Sequence, residues 1–159
     1  MDPLDAEPLL QALQSDDDVA RQAATAELWR RWYTQKGAYG AHLLVKSQKL
    51  LNSGNTKGAE TLLDELIRDQ PDFAEAWNRR AVLHYLEERY WQAIADCDQA
   101  IALVPYHFGA LHGLGLCHAA LGNYLAAIQA WRRALAVQPH GLANQRLILE
   151  YTAKLSESF

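Results

Sequence analysis

From about residue 40 onward, apolar and polar positions recur with the period of an amphipathic helix, and each apolar run is cut off by a proline. Pro71, Pro105 and Pro139 close the stretches LLDELIRDQP, CDQAIALVP and WRRALAVQP, at intervals of 34 residues. Proline offers no backbone N–H and pushes the residue before it out of the helical region, so each marks a helix stop. Inside the runs, residues such as Ile94, Cys97, Ile101 and Val104 fall three or four apart and predict one buried face.

Other positions keep the same 34-residue interval. Ala59, Ala93 and Ala127 share it, as do the small residues Ser47, Ala81 and Gly115, and the set Leu66, Ala100 and Ala134. Turn residues recur at Ser53-Gly54-Asn55 and Leu121-Gly122-Asn123, whereas the middle unit has Glu87-Glu88-Arg89 and no glycine. Small residues placed this way predict two helices crossing closely in every unit. A single pair of helices cannot bury its apolar face, so the units are expected to stack and share a core.

These units resemble tetratricopeptide repeats, helix–turn–helix modules of 34 residues. The middle unit, AEAWNRRAVLHYLEERYWQAIADCDQAIALVP, matches best, with Trp77, Ala81, Tyr90, Ala93, Ala100 and Pro105 in place. The last unit keeps Leu114-Gly115, Gly122, Tyr124, Ala127, Ala134 and Pro139. The first is degenerate: it keeps Leu43, Gly54, Ala59 and Pro71, but has Lys46 and Thr56 where an apolar residue and a tyrosine are usual. The resemblance implies an all-α, right-handed superhelical solenoid. Its units are expected at 40–73, 74–107 and 108–141, between an N-terminal helical cap (1–39) and a C-terminal capping helix (142–159).

The capping helix is read in LANQRLILEYTAKLSE, where Leu142, Leu147, Leu149 and Leu155 are the apolar contacts and Arg146, Glu150 and Lys154 the polar face. At the other end, PLLQALQ and SDDDVARQAATAELWRRWYTQKG predict two helices, similar to one HEAT-type hairpin. Asp16 to Asp18 supply the N-cap of the second, and Gly37 and Gly40 its end. Leu28, Trp29, Trp32 and Tyr33 are expected to pack on the first repeat, the other reading being that this helix docks on a partner.

The net charge is −4, and residues 1–18 hold six acids, Asp2 among them, with no Lys or Arg; the rest carries 15 bases and 13 acids. This balance argues against a nucleic-acid binder, which needs a basic face. The acidic start reads as a solvated terminus. The two cysteines, Cys97 and Cys117, are in no metal-type spacing and suit a reducing compartment as small core residues. No signal peptide and no transmembrane run is visible, so the expected location is the cytoplasm.

None of the six histidines falls in a metal-ligand motif. His84 and His118 occupy the same place in successive units, usually a tyrosine between helices, and read as satisfied interior groups. No nucleophile elbow, phosphate loop or paired-carboxylate motif occurs, and Gly113-Leu114-Gly115 lies within a repeat helix. No enzyme activity, cofactor or metal is expected. Trp91 is expected to shield a junction between repeats, or else to anchor a partner.

In the family, the first helix of each repeat lines a concave groove. Carried over, the groove positions are Leu44, Gln48, Leu51 and Asn52; Glu75, Asn78, Val82, Tyr85 and Leu86; and His112, Leu116, Ala119 and Ala120, continued by Arg146 and Glu150. Such a lining suits a helix or extended peptide with apolar anchors, unless the protein's own N-terminus or a second copy fills it. Family members that clamp the acidic tails of heat-shock chaperones use Lys, Asn and Arg at positions here held by Leu44, Gln48, Arg79, Gly109 and Gly113, which disfavours that mechanism. The expected function is a scaffold, adaptor or assembly factor binding a protein partner in the groove. The competing reading is a permanent structural subunit held through its ends and outer face.

Overall fold

The computed structural model describes residues 5–157, and among these the regular structure is entirely helical. An N-terminal hairpin, α1 (Glu7–Leu13) and α2 (Asp18–Thr34), is followed by three further hairpins: α3 (Gly37–Asn52) with α4 (Thr56–Asp69), α5 (Ala74–Leu86) with α6 (Tyr90–Leu103), and α7 (Phe108–Ala120) with α8 (Tyr124–Val137). Helix α9 (Leu142–Glu157) packs on α8 and closes the stack. Asp2 lies outside the described residues.

The prolines act as the sequence predicts. Gln70, Val104 and Gln138, the residues before them, take extended backbone at φ/ψ of −137/74, −134/91 and −123/81, and each terminates its helix. In the turns within the hairpins, Gly54 and Gly122 adopt left-handed φ of 86° and 79°. The middle turn keeps this conformation without a glycine: Glu88 stands at φ 59°. Its amide donates to Tyr85 O (3.0 Å), and the next amide, Arg89, reaches His84 O (2.8 Å). The helix carbonyls are thus satisfied, at about 1–2 kcal/mol of local strain.

Apolar side chains form successive clusters along the stack. One joins α3, α4 and α5 around Leu44, Leu63, Phe73 and Leu83; the next joins α5 to α8 around Ile94, Cys97, Leu111 and Cys117. The small residues stand at close crossings. A Cβ on Gly115 would overlap the Trp131 indole, which is fully buried and donates to His112 O at 3.2 Å. Gly40 is buried inside α3, where a Cβ would stand 3.3 Å from the Phe73 ring, so it is a packing residue and not the end of α2.

Charged groups stitch α4, α5 and α6 together. Arg80 donates to both carboxylate oxygens of Asp96 (2.9 Å each) and to Asp64 (3.0 Å), and Arg89 makes a bidentate pair with Glu60 (2.9 and 2.8 Å). That pair holds the Glu60 carboxyl below its ordinary range. His84 Nε2 lies 3.4 Å from Asp96, while its Nδ1, like that of His118, has no hydrogen-bond partner among the described residues. The expectation of two satisfied histidines is therefore corrected. At His118 the physical reason is that the network does not repeat: one period on from Arg80 and Asp96 stand Leu114 and Ala130.

The N-terminal hairpin does not simply cap the first repeat. Asp17 caps α2 by accepting from Val19 and Ala20 N–H (3.0 and 3.4 Å), and α2 then runs lengthwise across the connections between hairpins. Gln14 and Thr25 bond to the α8–α9 connection, at Val137 O (3.1 Å) and Gln138 (3.3 Å). Trp29 and Trp32 pack on Tyr106, His107 and Phe108 of the α6–α7 connection. Gln35 and Lys36 reach Asp72 of the α4–α5 connection (3.0 and 2.7 Å). Leu28 joins the cluster containing Phe108, and only Tyr33 touches the core nearest α3. The driving force is the apolar stripe Ala24, Leu28 and Trp32, which α1 and the α6–α7 connection bury together.

At the C-terminal end, Tyr151 of α9 packs on Trp131 and Tyr124 (5.2 and 5.1 Å between centroids), and Asn144 bonds His112 (2.7 Å). Leu142 and Leu149, expected as contacts, are instead exposed, because Tyr151 and Asn144 occupy the face toward α8 and α7.

Candidate functional site

Helices α3, α5 and α7 carry the positions expected to line a concave surface, and α2 divides that surface into a covered and an open part. The covered part begins at Glu75, wholly buried with its carboxylate satisfied on all sides. It accepts from Asn78 (3.2 Å) and Arg79 Nε (2.9 Å) through one oxygen and meets His107 Nε2 (2.8 Å) through the other. His107 is equally buried, and its Nδ1 accepts the Ala110 N–H at the start of α7 (3.0 Å). The ring is therefore the Nε2–H tautomer and donates to Glu75. Trp32 stacks on this imidazole, and the Arg79 guanidinium lies 5.0 Å from the Tyr33 ring. One period on from Glu75, Gly109 faces Trp29: an added Cβ would stand 2.6 Å from the indole.

The other end remains open. Between α5 and α7 lies a cleft of about 290 Å³, walled by Val82, Tyr85, Leu86 and Leu116, with Asn78 and His112 at its edge. Gly109 and Gly113 widen it, because they contribute no side chain, and Ala81, Cys97 and Cys117 form its floor. Val82 and Leu86 are 38% and 58% exposed, an unusual state for such residues in adjacent turns of one helix. Burial raises the Tyr85 hydroxyl above its ordinary value, and its ring meets Tyr90 at 5.6 Å.

Of the expected groove residues, the structure brings Asn78, Val82, Tyr85, Leu86, His112 and Leu116 together around this cleft. Leu44 is completely buried in the core between α3 and α5, and Glu75 is sealed, so neither has surface to offer. Leu51 is half-buried beside Leu44's cluster; Gln48 bonds Asn52 (2.8 Å) and accepts from Arg79 (3.3 Å). Arg146 is exposed on α9, two residues beyond the Asn144 that holds His112. Sequence reasoning missed His107 and the covering role of Trp29 and Trp32. The signal available was weak: a histidine two residues after Pro105, and two tryptophans three apart with no repeat partner.

Trp91 shields no junction. It is 64% exposed on the outer side, and Leu125, one period later, is 56% exposed. No group of three or more His, Cys, Asp or Glu suited to a metal occurs among the described residues, and no described helix is long and apolar enough to cross a membrane.

Comparison with known proteins agrees with this architecture. Models of the tetratricopeptide repeat match residues 44–108 and 108–140. A TPR repeat-containing protein of Rhizobium etli is 29% identical over 149 residues, covering 93% of this chain and 73% of that one. The BBSome complex member BBS4 of Xenopus tropicalis is 28% identical over 79 residues, half of this chain and 15% of that longer protein. Among solved structures, the first TPR domain of Spaghetti (RPAP3), bound to an HSP90 peptide, superposes with a TM-score of 0.69 at 20% identity, over 72% of this chain and 90% of that domain. MamA gives 0.66 at 24% identity, over 70% and 66%. The chain belongs to the tetratricopeptide-repeat family.

Proposed function

We propose that this protein is an interaction adaptor that holds a protein partner by seating an apolar side chain of a helix or extended segment in the cleft between α5 and α7. The observation that carries this reading is the pair Val82 and Leu86, left exposed beside an open apolar cleft on a surface whose other end α2 covers. A cavity of about 290 Å³ accommodates one large aromatic or aliphatic anchor, the kind of residue that dominates interface energetics. His112 is the polar side chain of the cleft placed nearest the partner's backbone, since Asn78 is buried and bonded to Glu75. Structural neighbours include domains described with HSP90 and Hsp70 peptides. Binding of an acidic chaperone tail is a less fitting mode here: Arg79 is already paired with Glu75, and Gly109 lies against Trp29. Arg146 and Glu150 extend the proposed surface along α9.

The test is affinity capture from the native cell with wild type and Tyr85→Asp side by side, with circular dichroism to establish that the variant is folded. A partner held by wild type and lost by the folded variant supports the cleft. Equal capture by both moves the site away from it. A second reading, a structural subunit held through its outer face, draws on the exposed Trp91 and Leu125. Loss of the same partner on Trp91→Ala, and not on Tyr85→Asp, would favour it.

A further inference from the structure

The floor of the cleft carries a chemistry that binding does not use. Cys97 on α6 and Cys117 on α7 are the two cysteines of the chain, each about 1% exposed, and both line the cleft. Cys97 Sγ lies against α7, 3.6 Å from where a Cβ at Gly113 would stand. Gly113 and Cys117 are one helical turn apart on the same face of α7, so the missing side chain at 113 lets the Cys97 sulfur approach the Cys117 sulfur. The neighbouring Cys97 lowers the Cys117 thiol below its ordinary value, while the neighbouring Cys117 and burial raise Cys97. Cys117 is thus the more acidic of the two thiols and the one placed to attack, with Cys97 as its resolving neighbour.

We propose that Cys97 and Cys117 form an intramolecular disulfide when the chain meets a hydroperoxide, joining α6 to α7 beneath the cleft. The Cys117 sulfur attacks one oxygen of hydrogen peroxide, the O–O bond breaks, and the departing hydroxide leaves as water with the proton that Cys117 gives up. The Cys97 thiol then attacks the resulting sulfenic sulfur, the S–O bond breaks, and the departing hydroxide takes the Cys97 proton as a second water. The thiols lose two electrons and the peroxide gains them. Access is through the cleft, which suits a small oxidant.

The experiment treats the full chain with hydrogen peroxide, alkylates remaining thiols after denaturation, and reads the intact mass and the peptide map. The expected result is loss of two hydrogens, loss of both alkylatable thiols, and one linked peptide pair containing Cys97 and Cys117. Cys97→Ser is expected to stop at a sulfenic acid on Cys117 that dimedone traps, and Cys117→Ser to leave Cys97 reduced. Two free thiols after treatment of the folded wild-type chain overturn the proposal. So does a disulfide found between chains on a non-reducing gel, or Cys117 oxidised to sulfinic acid with Cys97 still reduced. The wild-type result decides whether or not the serine variants fold.

Discussion

The indole of Trp32 lies flat on the imidazole of His107, with ring centroids 4.1 Å apart and planes inclined by 16°. Beneath it, His107 holds the buried carboxylate of Glu75. A residue of the N-terminal hairpin thereby roofs a polar contact between the middle and last repeats. Trp32→Ala is expected to destabilise the protein by about 3–5 kcal/mol, since it removes a large buried ring and leaves a cavity over the Glu75–His107 contact. Urea unfolding checks the size of the loss. A cost below about 1 kcal/mol would mean that α2 rests on the solenoid without stabilising it.

Gly115→Ala is expected to destabilise although alanine is the better helix former. The added methyl meets an indole that is fully buried and bonded to His112 O, and overpacking of this kind costs about 1–3 kcal/mol. Thermal unfolding followed by near-ultraviolet circular dichroism reads both the stability and the displacement of Trp131.

Glu88→Gly runs in the opposite direction. Its left-handed backbone costs an L-residue about 1–2 kcal/mol, partly offset by the greater freedom of glycine in the unfolded chain. A net gain of a few tenths to about 1 kcal/mol is expected in the same urea measurement.

His84 gives a pH dependence. Burial holds its imidazole below the ordinary value of 6.5, against the smaller opposing pull of Asp96. The unfolded chain therefore binds a proton that the folded chain declines. Stability is full above about pH 7 and falls as the pH drops through 6.5 toward the lower folded value. His84→Gln is expected to flatten that slope. Asp96, Arg80, Arg89 and Glu60 face the ring. Glu60 and Asp72, whose carboxyls are held below 4.5 and 3.8, add their own loss only at lower pH. Unfolding free energies of wild type and variant between pH 5 and 7.5, in steps of about half a unit, separate the contributions. Parallel curves would assign the slope to other groups.

The repeating units were legible because their signals are local and periodic. Pro71, Pro105 and Pro139 stop helices by their own covalent geometry, and Gly54 and Gly122 mark turns that need left-handed backbone. The open cleft was legible in part for the same reason: Val82, Tyr85 and Leu86 sit on one face of one helix. Leu44 was misread because its unit is degenerate, and the same helical position there faces the core. The path of α2 was not legible. Trp29 and Trp32 announce a buried face, but nothing in their spacing says that the opposite surface is Tyr106 to Phe108, more than 70 residues away. Long-range pairing of two non-repeating segments leaves no period to read.

That path has a consequence for synthesis. Ordinary stacked repeats touch only their neighbours, so each hairpin can settle on the one before it as the chain leaves the ribosome. Here Gln14 bonds Val137 and Thr25 bonds Gln138, across separations of 123 and 113 residues. Helices α1 and α2 are therefore synthesised well before the segments that cover them, with Trp32 and Leu28 waiting for Tyr106 to Phe108. Order of synthesis and order of assembly are reversed for this hairpin, whose burial is completed only by the α8–α9 connection.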